Sequence, residues 1–444
     1  MPSPRQLDRE IWRLAVPAFL ALVAEPLFLL ADSAIVGHLG TAQLAGLGVA
    51  GAVLQTIVGL CVFLAYGTTA SVARRIGAGD QRGALAQGID GLWLAMVIGV
   101  LVTLPTILLA RPLGQLVGAD GQVIGPATTY LRIAALGLTP LLVMLAATGV
   151  LRGFQDTRTP MVAAIGGNLL NVVLNVALVY GAGLGIAGSA IGSVIAQSCA
   201  AGVLLTVVVR AALHEHAALR PDLPGIRAAA RAGLALVVRT LTLRVAILAT
   251  TYAVTRSQAG EAQSVALAAH QIAFTLWSTL AFILDAIAIA AQALTGRALG
   301  SGDRTTTRAI TVRMIGWGVV VGVGLGLVLA AGSPLLGRLF TTDADVRHLL
   351  VAVLLIAAAG QPIAGVVFVL DGVLIGAGDG RYLAWGGLAV LLAYLPVLAL
   401  VVALGGGLAW VWACFAGVFM GARFVVLVRR ERGESWLVTG DARP

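Results

Sequence analysis

The chain has 444 residues, 59% of them hydrophobic and only 11% charged, with a mean hydropathy of +0.97 and a formal charge of +9. A soluble domain carries about 25% charged residues, so this composition excludes a water-soluble globule and makes lipid the solvent. Every basic residue is arginine, and no arginine run is interleaved with exposed aromatics, which argues against a nucleic-acid surface.

Taken in chain order, apolar runs of spanning length fall near 11–36, 45–71, 87–110, 125–151, 159–182 and 186–210. The N-terminus has no small-residue cleavage site, so the first run is expected to be retained. A hydrophilic stretch, 211–232, follows; Pro221 and Pro224 break any continuous helix there. Six more runs fall near 233–257, 264–295, 309–333, 348–376, 382–404 and 406–428, and the polar tail from 429 is expected to fray.

The second six repeat the first. Shifted by 223 positions, Gly77, Gly79 and Asp80 land on Gly300, Gly302 and Asp303. The cluster Gly149, Val150, Leu151, Gly153 and Asp156 lands on Gly372, Val373, Leu374, Gly376 and Asp379 at the same offset. The expected fold is therefore an all-α integral membrane protein of twelve transmembrane helices. Six spans per copy is even, so the two six-helix bundles share one orientation and are related by a pseudo-two-fold axis along the membrane normal. The expected organisation is a lobe over 1–210, a linker over 211–232, a second lobe over 233–428 and a tail over 429–444.

Arginine placement orients the chain. With both termini in the cytoplasm, the external loops hold only Arg111, Arg256, Arg338 and Arg347, and most of the others face the cytoplasm. This predicts a multi-pass protein of the cell's inner (plasma) membrane.

The informative residues are polar groups inside spans, where an ionised side chain costs roughly 3 kcal/mol at the bilayer centre. The first span carries Glu25 and Asp32, seven residues apart on one helical face, with the helix-bending Pro26 between them. A carboxylate pair on a bendable helix suits uptake of a proton or cation. The fifth span carries Asn168, Asn171 and Asn175 on one stripe; amides there either serve the carboxylate or join helices. In the second half, Asp285 and Asp371 lie at depths compatible with Arg244, and an internal ion pair of Arg244 with Asp371 or Asp285 is expected, with Arg239 snorkelling to the interface. His270 is expected to be satisfied locally, and His214, Glu215 and His216 form a solvated loop without a third metal ligand. Cys61, Cys199 and Cys414 have no disulfide spacing.

No phosphate-binding loop, dinucleotide fingerprint or metalloprotease motif is present, so energy is expected from an ion gradient or the substrate gradient, without a cofactor. No nucleophile–base cluster stands out, and the chain is not expected to be an enzyme. A flippase for a lipid or lipid-linked precursor is the alternative transporter reading, but such a cavity favours many basic groups, and here acids dominate the first half.

The run from Pro17 through Glu25-Pro26-Leu27-Phe28-Leu29-Leu30-Ala31-Asp32 to Gly40 resembles the first helix of the multidrug and toxic compound extrusion transporters, in particular their DinF-like branch. Gly149-Val150-Leu151-Arg152-Gly153-Phe154-Gln155-Asp156-Thr157 and Leu370-Asp371-Gly372-Val373-Leu374-Ile375-Gly376-Ala377-Gly378-Asp379 resemble that family's loops after helices 4 and 10. The resemblance implies two six-helix lobes and export of amphipathic, often cationic compounds against inward H+ or Na+. It implies a proton or cation site at Asp32, served by Asn171 and, on helix 6, Ser193. Many members place an aspartate where this chain has Asn175. One negative charge fewer weakens Na+ binding, so H+ is the expected coupling ion, with Na+ the lesser possibility. The expected partners are an amphipathic small molecule and membrane lipids, with the chain a monomer.

Overall fold

A computed structural model describes residues 3–440. Among the described residues all regular structure is helical, and twelve helices are long and apolar enough to cross a membrane. We number them α1 (Pro4–Gly37), α2 (Thr41–Gly77), α3 (Gln81–Leu108), α4 (Ile124–Gly153), α5 (Arg158–Gly181), α6 (Gly185–His214), α7 (Leu223–Ser257), α8 (Glu261–Gly300), α9 (Arg304–Phe340), α10 (Ala344–Gly376), α11 (Gly380–Ala403) and α12 (Leu408–Arg432). The shortest has 24 residues, about 36 Å at 1.5 Å per residue, enough for a hydrocarbon core of about 30 Å. α2 is interrupted at Val62. α5 and α12 each contain a π-helical stretch, over Ala177–Gly181 and Cys414–Phe419, a variation tolerated where neighbours re-satisfy the backbone.

The repeat is visible in how helices start and how they pack. Gly79 and Gly302 take left-handed conformations, φ 81° and 80°, and the next residue caps a helix. Asp80 accepts from the Gly83 N–H of α3 at 2.8 Å, and Asp303 accepts from the Thr306 N–H of α9 at 2.8 Å. Gly149 and Gly153 bring α4 against Ala65, Thr68 and Val72 of α2, where a Cβ would collide. Their counterparts Gly372 and Gly376 press α10 onto the backbone of Ala288 and Gln292 of α8. Lipid gives helices no hydrophobic reason to associate, so close approach at small residues supplies the packing.

The chain divides into two compact units, one of residues 16–233 and one joining the residues up to 15 with 234–439. The division falls inside α1 and inside α7. The connecting stretch is more helical than its prolines suggested: α6 reaches His214 and α7 begins at Leu223, with Pro224 in the first helical turn, where its missing N–H costs nothing. The described part of the tail, up to residue 440, is held in place where fraying was expected. Trp436 is fully buried, its indole donates to the Glu431 carbonyl at 2.9 Å, and Arg308 donates to the carbonyls of Glu431 and Gly433. A large aromatic with a satisfied N–H holds a short polar segment in place.

Candidate functional site

In the unit of residues 16–233, three helices bring polar groups to Asp32 of α1. Its side chain is almost fully buried. Asn175 of α5 donates to Oδ1 at 2.8 Å. Ser189 of α6 donates to the same oxygen through a short bond. Tyr130 of α4 donates to Oδ2 at 3.2 Å. A second tier supports the first: Asn175 also donates to Asn171 Oδ1 at 2.9 Å, and Asn171 donates to Ser193 at 3.0 Å. Asn171 and Asn175, one turn apart, form a stripe on α5; Ser189 and Ser193, likewise one turn apart, form the facing stripe on α6.

The surroundings are apolar. Tyr130 belongs to a core of Val36, Leu47, Ala50, Val53, Leu131, Ala134 and Ala190, so the polar groups of the site find their partners chiefly in one another. No basic side chain is paired with Asp32 among the described residues. Gly192 makes room for the amide of Asn175, since a Cβ there would run into its Oδ1. That oxygen is buried and accepts no hydrogen bond. The orientation of Asn175 is fixed nonetheless, because both Asp32 and Asn171 present acceptors to its NH2.

The sequence expectations divide here. Asp32, Asn171 and Asn175 converge as expected. Ser193 does not touch Asp32; it accepts from Asn171, and Ser189 takes the direct contact. Sequence reasoning missed Ser189 and Tyr130. Stepping back one turn from Ser193 along α6 finds the first; the second is a lone tyrosine in an apolar span and gave no local signal. Asn168 joins helices, donating to the Ala24 carbonyl at 2.7 Å. Glu25 is exposed and makes none of the bonds around Asp32. Pro26 lies inside an unbroken α1, as does Pro17.

In the unit of residues 234–439, the expected pair of Arg244 with Asp371 or Asp285 is not formed. Arg244 is exposed. Asp371 Oδ2 instead receives Arg239 of α7 at 2.6 Å and Arg423 of α12 through a short bond. Arg239 therefore does not snorkel; it is five residues, and about 140° of helical rotation, from Arg244. Arg423, which sequence reasoning did not single out, lies within α12 and is buried, with its guanidinium over the Phe419 ring. Asp285 is half-buried on α8 and makes no bond to Asp371. His270 is buried; Trp412 donates to its Nδ1 at 3.2 Å, and its Nε2 meets the Thr251 hydroxyl at 3.1 Å. No cluster able to hold a metal occurs among the described residues.

Twelve apolar helices in two sequence repeats, with a buried and unpaired carboxylate on the first, define the class: a multi-pass membrane transporter. MatE family matches cover residues 17–177 and again 241–403, one per repeat, and the chain belongs to this family of multidrug and toxic compound extrusion transporters. It is 34% identical over 441 residues to Protein DETOXIFICATION 44, chloroplastic, of Arabidopsis thaliana, covering 96% of this chain and 82% of that protein. It is 28% identical to DNA damage-inducible protein F of Escherichia coli K12, covering 88% of this chain and 86% of that protein. Its fold matches the Vibrio cholerae MATE transporter VcmN in the bent form with a TM-score of 0.87 at 22% identity, covering 98% of this chain and 99% of that one. It also matches a MOP superfamily transporter from Pyrococcus furiosus with a TM-score of 0.85 at 22% identity, covering 97% and 96%.

Proposed function

We propose that this transporter exports amphipathic, cationic organic compounds in exchange for inward-moving protons, with Asp32 as the proton-coupling residue. The reading is carried by one observation: the Asp32 carboxylate accepts from three neutral donors, Asn175, Ser189 and Tyr130, and from no cation. A carboxylate so placed takes a proton without first breaking an ion pair. On protonation it becomes a donor, and the Ser189 or Tyr130 hydroxyl must turn and accept. The hydrogen bonds that hold α1 to α4 and α6 then change, and α1 has soft points at Pro17 and Pro26, where the proline ring removes a backbone donor.

The amides favour H+ over Na+. A hard cation takes oxygen ligands, whereas Asn175 turns its NH2 towards Asp32 and towards Asn171. The arginine distribution supports a plasma-membrane protein with both termini in the cytoplasm. Ion and substrate drive the cycle only by their differential affinity for its two states. MATE transporter structures in the straight and the bent conformation both match this chain, with TM-scores of 0.84 and 0.83, which supports a cycle of more than one shape.

The test is ethidium-dependent proton movement in proteoliposomes. Proton efflux coupled to dye uptake, lost in Asp32→Asn, is the expected result. Dye movement that follows Na+ at constant pH and ignores Asp32 rejects proton coupling. Failure to move any organic cation would return the lipid-flippase reading.

A further inference from the structure

α1 is one continuous helix, yet its two ends are held in different units. Residues up to 15 pack with 234–439, and residues from 16 onward with the other unit. Within the first of these units, Leu7, Ile11, Leu14 and Ala15 are buried, and Asp8 is gripped by α9. Arg313 donates to Asp8 with a bidentate fork, Nε to Oδ1 at 2.7 Å and Nη2 to Oδ2 at 2.5 Å. The Trp317 indole adds a third bond to Oδ1 at 2.7 Å. Trp12, one turn along α1, packs edge-on against Trp317 with ring centroids 5.0 Å apart. A fork of charge-assisted bonds backed by an aromatic pair adds geometric specificity to a single partly exposed ion pair.

The same place in the other repeat is also a tie. Asp90 of α3 occupies the position 223 residues before Arg313. It accepts from the Asp222 N–H at 3.0 Å, at the start of α7, and Gly225 packs against its carboxylate. The two residues share no chemistry, yet each holds the foot of the helix that opens a repeat. Retention of the position with different bonds points to a mechanical need.

Asp8 and Asp32 are 24 residues apart, about 36 Å along a helix. The upper end is bonded to α4, α5 and α6 at the carboxylate; the lower end is bonded to α9 at Asp8; Pro17 and Pro26 lie between. We propose that Asp8, through Arg313 and Trp317, is a positioning residue for transport. With the foot fixed, a change at Asp32 acts on the unit of residues 234–439; with the foot released, α1 absorbs the change by itself. The inference rests on Asp32 as the coupling residue.

The experiment uses the full chain with ethidium as the probe. It compares wild type, Asp8→Asn, Trp317→Phe (which removes the N–H and keeps a ring against Trp12) and the charge exchange Asp8→Arg with Arg313→Asp. Two quantities are read: ethidium-induced proton release from protein in detergent, and ethidium–proton exchange across liposomes. Proton release and its pH profile stay as in wild type, while exchange falls about fivefold in Asp8→Asn, the scale of a partly exposed ion pair. Exchange falls less in Trp317→Phe and is partly restored by the charge exchange. Unchanged exchange in both Asp8→Asn and Trp317→Phe overturns the proposal. So does a parallel loss of proton release, exchange and thermal stability, which marks an ordinary structural contact. If Asp32→Asn still releases protons, the coupling reading fails by itself, and the exchange rate of Asp8→Asn, with whichever ion drives it, still decides the anchor.

Discussion

Asp32 and Asp371 are buried carboxylates within helices, one in each unit, and the two are solvated in opposite ways. Asp32 is held by two hydroxyls and an amide; Asp371 is held by two guanidinium groups on a single oxygen. Neutral donors leave a carboxylate free to gain a proton, because nothing charged is stranded when it does. Two arginines fix the charge, because a neutral Asp371 would withdraw the counter-ion that Arg239 and Arg423 share in a low-dielectric interior. The duplicated framework thus carries one group suited to a cycle of protonation and one suited to permanence.

The largest test of that contrast is the same substitution at both sites. Asp371→Asn breaks a buried ion cluster and costs about 3–5 kcal/mol of stability. Asp32→Asn replaces one hydrogen-bonded acceptor and costs about 1 kcal/mol, while it removes proton coupling. Thermal unfolding of both variants in one detergent ranks them, and the reverse order would break the comparison. The conservative partner change Arg423→Lys keeps the charge but loses the planar fork, and it falls between the two.

A smaller effect is expected behind the site. Gly192→Ala inserts a methyl group against Asn175 Oδ1, an overpacking that costs about 1–3 kcal/mol and pushes the amide away from Asp32. Exchange drops more than binding of the dye. An equal exchange rate in Gly192→Ala and wild type would mean that the Asn175–Asp32 bond is dispensable. Below it come Tyr130→Phe and Ser189→Ala, each removing one donor at about 1 kcal/mol. Tyr130→Phe has the larger effect, since it takes the donor from Oδ2, whereas Oδ1 keeps Asn175 when Ser189 is lost, and Ser193→Ala, one bond further out, has the smallest of the three.

These ranks also explain what could be read in advance. The twelve spans are legible because lipid demands long apolar runs, and Asp32, Asn171 and Asn175 because lipid rejects polar groups that have no use. Tyr130 escapes this logic: its ring belongs in an apolar core and only its hydroxyl reaches the site, across 98 residues of sequence. Ser189 escapes because a hydroxyl also satisfies itself on its own helix, so serine in a span carries little signal. Arg423 gives no separate signal because counting arginines orients a chain but does not separate a loop arginine from one a few turns inside. Asp8 and Arg313 are 305 residues apart in sequence, and only the folded path of α1 shows that they hold each other.

The smallest prediction concerns the turns that open the third helix of each repeat. Asp80 and Asp303 are equivalent caps, each accepting a backbone N–H at 2.8 Å. Asp80→Ala is expected to cost about 1 kcal/mol, the ordinary value of such a cap, and Asp303→Ala to destabilise in the same direction. They differ in their neighbours: Arg75 donates to Asp80 at 2.9 Å, whereas Asp303 has only its bonds to Thr306 and Thr305, which hold its carboxyl below the usual carboxylate range. A carboxyl whose pKa is lowered by folding contributes stability that is present above its unfolded value and is lost as pH falls through the folded one. The Asp303→Ala deficit therefore persists at neutral pH and shrinks in acid, as wild type loses the same cap by protonation. Stability measured from neutral pH down through the carboxylate range gives converging curves for wild type and Asp303→Ala. Parallel curves would show that the cap acts through shape and not through charge.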